Sequence, residues 1–293
     1  MADTSGMAEI RGLDIDKLAK GFADEENVFK KFCVNSTTNA REIRWYSKTS
    51  GFLSAPTNET ITSSANPIAN MPERARPAVV EQSWTRCTSY IRKYFVESPL
   101  ISEEDIKDCD IDILATNVRD LVRAVERQVD SRIYTQLSTA TGVQTQGAVA
   151  DGWNDDVTGD PITDLLLAKQ MIRKYGYNPE GAILAINSIE HKNLIRFLIN
   201  VKGSSIPAFA SQKIESGVVM EILGLKVVVS ENAPTDEALV FVPNRAATWK
   251  SFMPITSAVI KDEGIGRKIR VWEEGECIVT DPKACYLITD TVV

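Results

Sequence analysis

The sequence predicts an α+β chain, and three observations carry that prediction. One helical pattern runs from about Ile113 to Thr139, longer than an ordinary globular helix. Two strand-like segments, 40–48 and 78–86, flank a long polar stretch rich in turn formers. After residue 160 helix-period and strand-length apolar runs alternate, and the chain then closes on strands. On this reading it divides into an arm (1–39), a hairpin (40–88), a part built on the long helix (89–145), an α/β part (146–254) and closing strands (255–293).

Composition narrows what such a chain does. A length of 293 residues, 43% of them hydrophobic, supplies one large core or two smaller ones. No run of eighteen apolar residues occurs, and the start, MADTSGMAEIRGLDIDKLAKG, lacks the apolar middle of a secretory signal. The reading expects no membrane partner and a cytoplasmic origin. Cys33, Cys87, Cys109, Cys277 and Cys285 are odd in number and without CxxC spacing, which fits buried reduced thiols. With 33 basic and 40 acidic side chains the net charge is −7, which argues against a dedicated phosphate-gripping nucleic-acid binder. A wall that only encloses DNA remains compatible with it.

Taken in order, the arm carries Leu13, Leu18, Phe22, Val28, Phe29 and Phe32 at three- and four-residue steps, a narrow apolar face interrupted by Gly21. A helix so short is marginal alone, so the arm is expected to pack on the body or on another subunit. The segments Ala40–Lys48 and Ala78–Arg86 read as the two hairpin strands. Between them Pro56, Pro67, Pro72 and Pro77 stand among Ser, Thr and Asn, a composition that buries no core. A loop of that length is usually functional and wants an external partner; a plain surface loop is the alternative.

In the long helix Leu114, Val118, Leu121, Val122, Val125, Val129, Ile133 and Leu137 recur at three or four residues, with Asp112 as N-cap and Gly142 as the stop. At 1.5 Å per residue it spans roughly 40 Å, a strut. Arg119, Arg123 and Arg127 line another side, answered by Asp120, Glu126 and Asp130, and read as a solvated face with weak ion pairs. Residues 139–160 read as a linker. Pro161 then opens a helix through Ile172 closed by Gly176, Ala182–Ile186 reads as a buried strand, and Ser188 caps a helix through Leu198. Leu225–Val229 and Ala238–Val242 are further strands. Lys268–Glu273, Glu276–Val279 and Ala284–Ile288 are expected to close the chain as antiparallel strands.

Chemistry is sparse. His191 is the only histidine, it sits in a helix beside Lys192, and no GxSxG elbow supplies a nucleophile. Gly264-Ile265-Gly266-Arg267-Lys268 matches neither phosphate-loop spacing and reads as a hairpin turn. Asp151, Asp155, Asp156 and Asp160 depart from the EF-hand order and lack its terminal Glu. The reading therefore expects no catalytic, metal or cofactor site. The competing reading, an α/β enzyme or binding domain on 161–254, needs a pocket of convergent polar groups that nothing in the sequence announces.

The order arm, polar-tipped hairpin, long helix, α/β insertion and closing strands resembles the HK97-like major capsid proteins of tailed double-stranded DNA viruses. The most telling stretch is Tyr94-Phe95-Val96-Glu97-Ser98-Pro99-Leu100-Ile101-Ser102-Glu103-Glu104-Asp105-Ile106 leading into Asn117–Asp130, which is similar to the family's strand, acidic turn and spine helix. The resemblance implies an N-arm, an E-loop hairpin, a P domain with its spine helix, an inserted A domain, and a return to the P domain. It implies hexamers and pentamers of the chain, each E-loop lying over a neighbour's P domain, in an icosahedral shell enclosing DNA without sequence-specific binding. Trp45, Lys48, Trp84 and Arg86 are the candidates for that subunit contact, with burial in the hairpin's own base an equal reading for the two tryptophans. Some members cross-link an E-loop Lys to a neighbour's Asn; Lys48 is the only lysine between Lys31 and Lys93, no Asn follows Asn244, and a non-covalent shell is expected. The family's larger precursors begin with an acidic scaffolding segment, for which there is no room ahead of this arm, and Met1 favours a separate scaffolding protein. Portal and decoration proteins are further implied partners. An encapsulin-like compartment around a cargo enzyme shares the fold and is the alternative.

Overall fold

A computed structural model of the chain describes residues 28–50, 73–74, 83–108, 113–148, 151–155, 158–200 and 221–292. The expected arm helix around Leu13, Leu18 and Phe22, the cap at Asp112 and the polar hairpin tip lie outside the described residues.

Apolar spacing on the long helix decides how the core forms. Helix α2 runs Ile113–Thr139, the span the sequence predicts. Val125, Val129, Ile133 and Leu137 fall on one face at four-residue steps and are all buried. Gly142 follows at φ +96°, a backbone state that costs glycine nothing. A shorter helix, α1 (Glu103–Asp108), precedes it and is capped by Ser102, whose hydroxyl accepts from the Asp105 amide at 3.0 Å.

A first sheet is ordered β1 (Val34–Thr37), β11 (Ala247–Asp262), β12 (Gly266–Val279) and β4 (Arg92–Glu97), with β5 (Ile101–Ser102) also pairing β12. β11 and β12 form one long antiparallel hairpin. Its ladder is irregular between Met253 and Thr256, where Pro254 supplies no amide, a place a sheet tolerates proline. The two short strands expected at 268–273 and 276–279 are one strand, because Gly275 keeps the ladder going where a side chain cannot. A Cβ there meets the Trp249 ring at 2.4 Å.

The second sheet runs β6 (Gln144–Gly147), β13 (Cys285–Thr289), β10 (Glu237–Phe241), β7 (Ile183–Ile186), β9 (Leu225–Val229) and β8 (Glu221–Ile222). Its central strands are apolar on both sides because both faces are covered. Ile183, Ala185, Leu239, Phe241, Cys285 and Leu287 face the core shared with α2 and the first sheet. Leu184, Ile186, Ala238, Val240, Tyr286 and Ile288 face α3 (Pro161–Lys174) and α4 (Ser188–Asn200).

Four expectations change here. The stretch 139–160, read as a linker, contributes β6, which pairs in parallel with β13. The closing segment does not return as one antiparallel set: β13 leaves β12 and enters the second sheet between β6 and β10. A strand buried on both faces needs a sheet covered on both faces, and the first sheet has one outward face. The boundary drawn at 254/255 falls inside β11, which runs Ala247–Asp262. The cap of α4 is Asn187 rather than Ser188, its side-chain oxygen accepting from the Ile189 amide at 3.2 Å.

Candidate assembly interface and arm anchorage

Strands β2 (Glu42–Ser50) and β3 (Ser83–Tyr90) form a separate two-stranded sheet. Register pairs Trp45 with Cys87, Tyr46 with Arg86 and Lys48 with Trp84. Period-two alternation then divides the hairpin into two faces. Trp45 is half-buried and shares its side of the hairpin with buried Ile43. Arg86 is exposed on the opposite side. The side chains of Lys48 and Trp84 lie outside the described residues, leaving only their backbone register. On the outward side, beside Arg86, stand Tyr46, 64% exposed, and Tyr90, 66% exposed. Arg44 on this face donates to Glu42 at 2.6 Å, and that bond holds the Glu42 carboxyl below the usual range. Sequence reasoning singled out the larger tryptophans and did not weigh these tyrosines; strict alternation along the strands puts them outward.

One carboxylate anchors the first described residues of the arm. Asp130 of α2 is fully buried, and its Oδ1 accepts from the amides of Phe29 (2.9 Å) and Lys30 (3.1 Å) while Oδ2 accepts from Val28 (2.9 Å). These amides open the 3₁₀ turn Lys30–Phe32 and have no partner inside it. Burial raises the Asp130 carboxyl above its ordinary value, and the three amides oppose the rise. Phe29 packs on Tyr134 with centroids 5.5 Å apart, and Phe32 meets Phe241 edge-on at 6.4 Å. The Asn244 amide donates to the Phe32 carbonyl at 2.8 Å, so this short segment grips both the long helix and the second sheet. Asp130 was read as one member of a solvated charge ladder; only the fold reveals it as a buried acceptor.

A second cluster ties the arm and hairpin base to β12. Glu273, Glu274 and Glu276 are all buried. Glu273 bonds Lys30 of the arm, whose ammonium also lies 5.3 Å from the Trp249 ring centroid. Glu274 faces Lys93 at 3.5 Å and Arg41, at the hairpin's base, at 3.8 Å. Glu276 takes Arg132 of α2 at 2.9 Å and Arg92 at 3.1 Å. Burial raises the Glu276 carboxyl against the pull of both arginines. The arm, the hairpin base, β4 and the long helix therefore converge on three glutamates within four consecutive residues of one strand, an arrangement suited to holding parts in place.

Among the described residues, those considered for chemistry stand apart from one another; Asp156 lies outside the described residues. His191 sits in the first turn of α4, its ring held below the usual range by burial. Asp151 and Asp155 both take the Thr158 hydroxyl, at 3.2 and 2.6 Å, and Asp160 caps α3 through the Thr163 amide. Among the described residues no group of three His, Cys, Asp or Glu side chains is placed to hold a metal ion. No helix among them is long and apolar enough to cross a membrane. Cys33, Cys277 and Cys285 are buried free thiols.

Known proteins resolve what this architecture is. The capsid structure of cyanophage P-SCSP1u matches with TM-score 0.65 at 12% identity, over 91% of this chain and 89% of that one. The mature capsid of bacteriophage PhiM1 matches with TM-score 0.64 at 11% identity, over 92% and 88%. A chain of Mycobacterium phage Adephagia matches with TM-score 0.65 at 10% identity, over 99% and 98%. At such identities the likeness establishes the fold, which is HK97-like. A comparison with curated proteins finds no match. The family model for phage capsid protein matches residues 100–288, well over half the length, from the strand before α1 to the end of β13. The chain belongs to the phage capsid protein family.

Proposed function

We propose that this shell protein assembles into hexamers and pentamers of an icosahedral capsid around double-stranded DNA, each hairpin lying on a neighbouring copy. The observation that carries the reading is the β2–β3 hairpin, which pairs with no third strand among the described residues and turns Tyr46, Tyr90 and Arg86 outward. An isolated two-stranded hairpin is marginal in water, and a second copy of the chain is the partner a shell supplies. A head-to-tail contact of this kind closes into rings. In these terms 1–39 is the arm, 40–88 the overlapping hairpin, α2 with the first sheet the P domain, and the second sheet with α3 and α4 the A domain. Tyr46 and Tyr90 join Lys48, Trp84 and Arg86 as contact residues.

The shell assembles in the host cytoplasm with a separate scaffolding protein, portal and decoration proteins as further partners, and its contacts with the enclosed DNA do not read sequence. The net charge of −7 supports that last point. Negative-stain electron microscopy of the chain, alone and with its neighbouring genes, tests the reading. Closed particles or hexameric rings are expected, and DNA inside them separates a capsid from a compartment holding a cargo enzyme. A uniform small monomer under every condition refutes it.

A further inference from the structure

The second sheet carries opposite charge at its two ends. At the end where β7, β9 and β13 finish and β10 begins stand Glu231, Asp236, Glu237 and Asp290, with Asp151 and Asp155 in the loop whose Trp153 amide donates to the Thr291 carbonyl. At the opposite end Arg173 and Lys174 close α3, Arg245 follows β10 and Lys283 precedes β13, with Glu180 and Asp281 as their acids. Lys31 belongs to the same end, because the Asn244 amide beside Arg245 donates to the Phe32 carbonyl. On the sheet edge there, Lys226 and Glu221 are register partners and cancel. These five cations against two carboxylates leave an excess of three on a chain whose net charge is −7. Two rings back the cations: Lys283 Nζ lies 5.0 Å from the Tyr175 centroid and the Arg245 guanidinium 5.8 Å from that of Tyr177. Arg245 pairs with Asp281 at 2.6 Å and Arg173 with Glu180 at 3.5 Å, yet the two arginine side chains stay 62 and 66% exposed.

Such an end calls for an anion, and the acidic end of another copy is a poor one because its oxygens already accept within the chain. Asp236 takes the Val292 amide at 2.9 Å, Glu237 the Tyr134 hydroxyl at 3.3 Å and Glu231 the Asn187 side chain at 3.1 Å. Asp151 and Asp155 share the Thr158 hydroxyl. A carboxylate engaged in this way has fewer lone pairs left for a neighbour's arginine fork. Duplex DNA instead presents a row of phosphate oxygens at about one charge per 1.7 Å of axis. Arginine, lysine and tyrosine hydroxyl groups bind that row without reading bases. We propose that the basic end of the second sheet is the surface through which the shell grips the phosphates of its DNA, with the acidic end turned away from them. The inference rests on the capsid reading, which supplies the DNA. An excess of three cations makes the grip weak and sensitive to salt.

The test is formaldehyde cross-linking of DNA-filled particles, then nuclease digestion and mass spectrometry of the lysine–nucleotide adducts. Formaldehyde joins a lysine amine to a base amino group through one methylene with loss of water, so only lysines lying against DNA report. Expected are adducts on Lys174 and Lys283, and few on Lys192, exposed in the first turn of α4 at the acidic end. Arg245→Gln with Lys283→Gln lowers the adducts at Lys174 several-fold. Raising salt from about 0.1 to about 1 M before fixation does the same on the unaltered chain, as the screening length contracts from about 10 to about 3 Å. Adducts confined to other lysines, or adducts at Lys174 that neither the glutamines nor salt reduce, overturn the inference and leave the capsid standing. Carbodiimide links from Lys174 or Lys283 to Glu231, Asp236 or Asp290 of a neighbouring copy overturn it too, by making the two ends a contact between subunits. A chain that forms no particle, or particles without DNA, overturns the capsid reading and this inference together.

Discussion

Replacing Asp130 by Ala removes the acceptor of three arm amides at once. Each charge-assisted bond contributes roughly 1.5–3 kcal/mol, but the sum overstates the loss, because the arm can release and let water satisfy its amides. Removing one partner from a buried charged arrangement costs about 3–5 kcal/mol. The raised carboxyl shows that burial already offsets part of what the amides contribute, so the lower end, about 3 kcal/mol, is expected. The assay is native-state hydrogen exchange at Phe29, whose amide is buried on Asp130 Oδ1. At about 1.4 kcal/mol per tenfold, protection should fall roughly a hundredfold. Asp130→Asn keeps one acceptor oxygen and should lose about half as much free energy. The pH dependence has a definite sign. A carboxyl raised above its ordinary 3.8 by docking takes up a proton more readily in the docked state. Its contribution is therefore complete below that ordinary value and lost as pH rises through the docked one. The lead of the wild type over Asp130→Asn should shrink between acid and neutral pH. Unchanged Phe29 protection in Asp130→Ala, or a lead that grows toward neutrality, refutes the anchoring argument.

The remaining predictions concern the body and the assembled particle. Glu276→Ala strands Arg132 in a largely buried setting and should cost roughly 3–5 kcal/mol in urea unfolding, whereas Arg92→Ala, removing a side chain 58% exposed, should cost under about 1 kcal/mol; equal losses contradict the pairing described. Gly275→Ala forces a methyl to within 2.4 Å of the Trp249 ring and should destabilise by about 1–3 kcal/mol, read by tryptophan fluorescence during denaturation. Tyr46→Ala with Tyr90→Ala should leave the unfolding midpoint of the free chain within about 0.5 kcal/mol while sharply reducing particle yield; normal particles from this variant remove the tyrosines from the contact. A denaturing gel of assembled particles should show only the single-chain band, and a ladder of covalent multimers rules out the non-covalent shell.

Periodicity and order made much of the fold legible. The span of α2 follows from apolar residues at three- and four-residue steps ended by a glycine, and β7 and β10 follow from short runs apolar on every residue. In the candidate contact Trp45 was chosen for size, and only the strand register places it on the side of buried Ile43. β6 was invisible because Gln144–Gly147 is polar and joins the sheet through its backbone alone.

By itself, then, the sequence determined the α+β class, the long strut, the paired hairpin strands and the resemblance to capsid proteins, because all of these are local patterns in a fixed order. Tertiary structure alone decided that Asp130 is an amide acceptor, that Glu273, Glu274 and Glu276 gather cations from four separate segments, and that β13 closes the second sheet. The physical reason is the same in each case. A carboxylate in a charged stretch looks solvated until the fold brings distant amides and cations to it and removes the water.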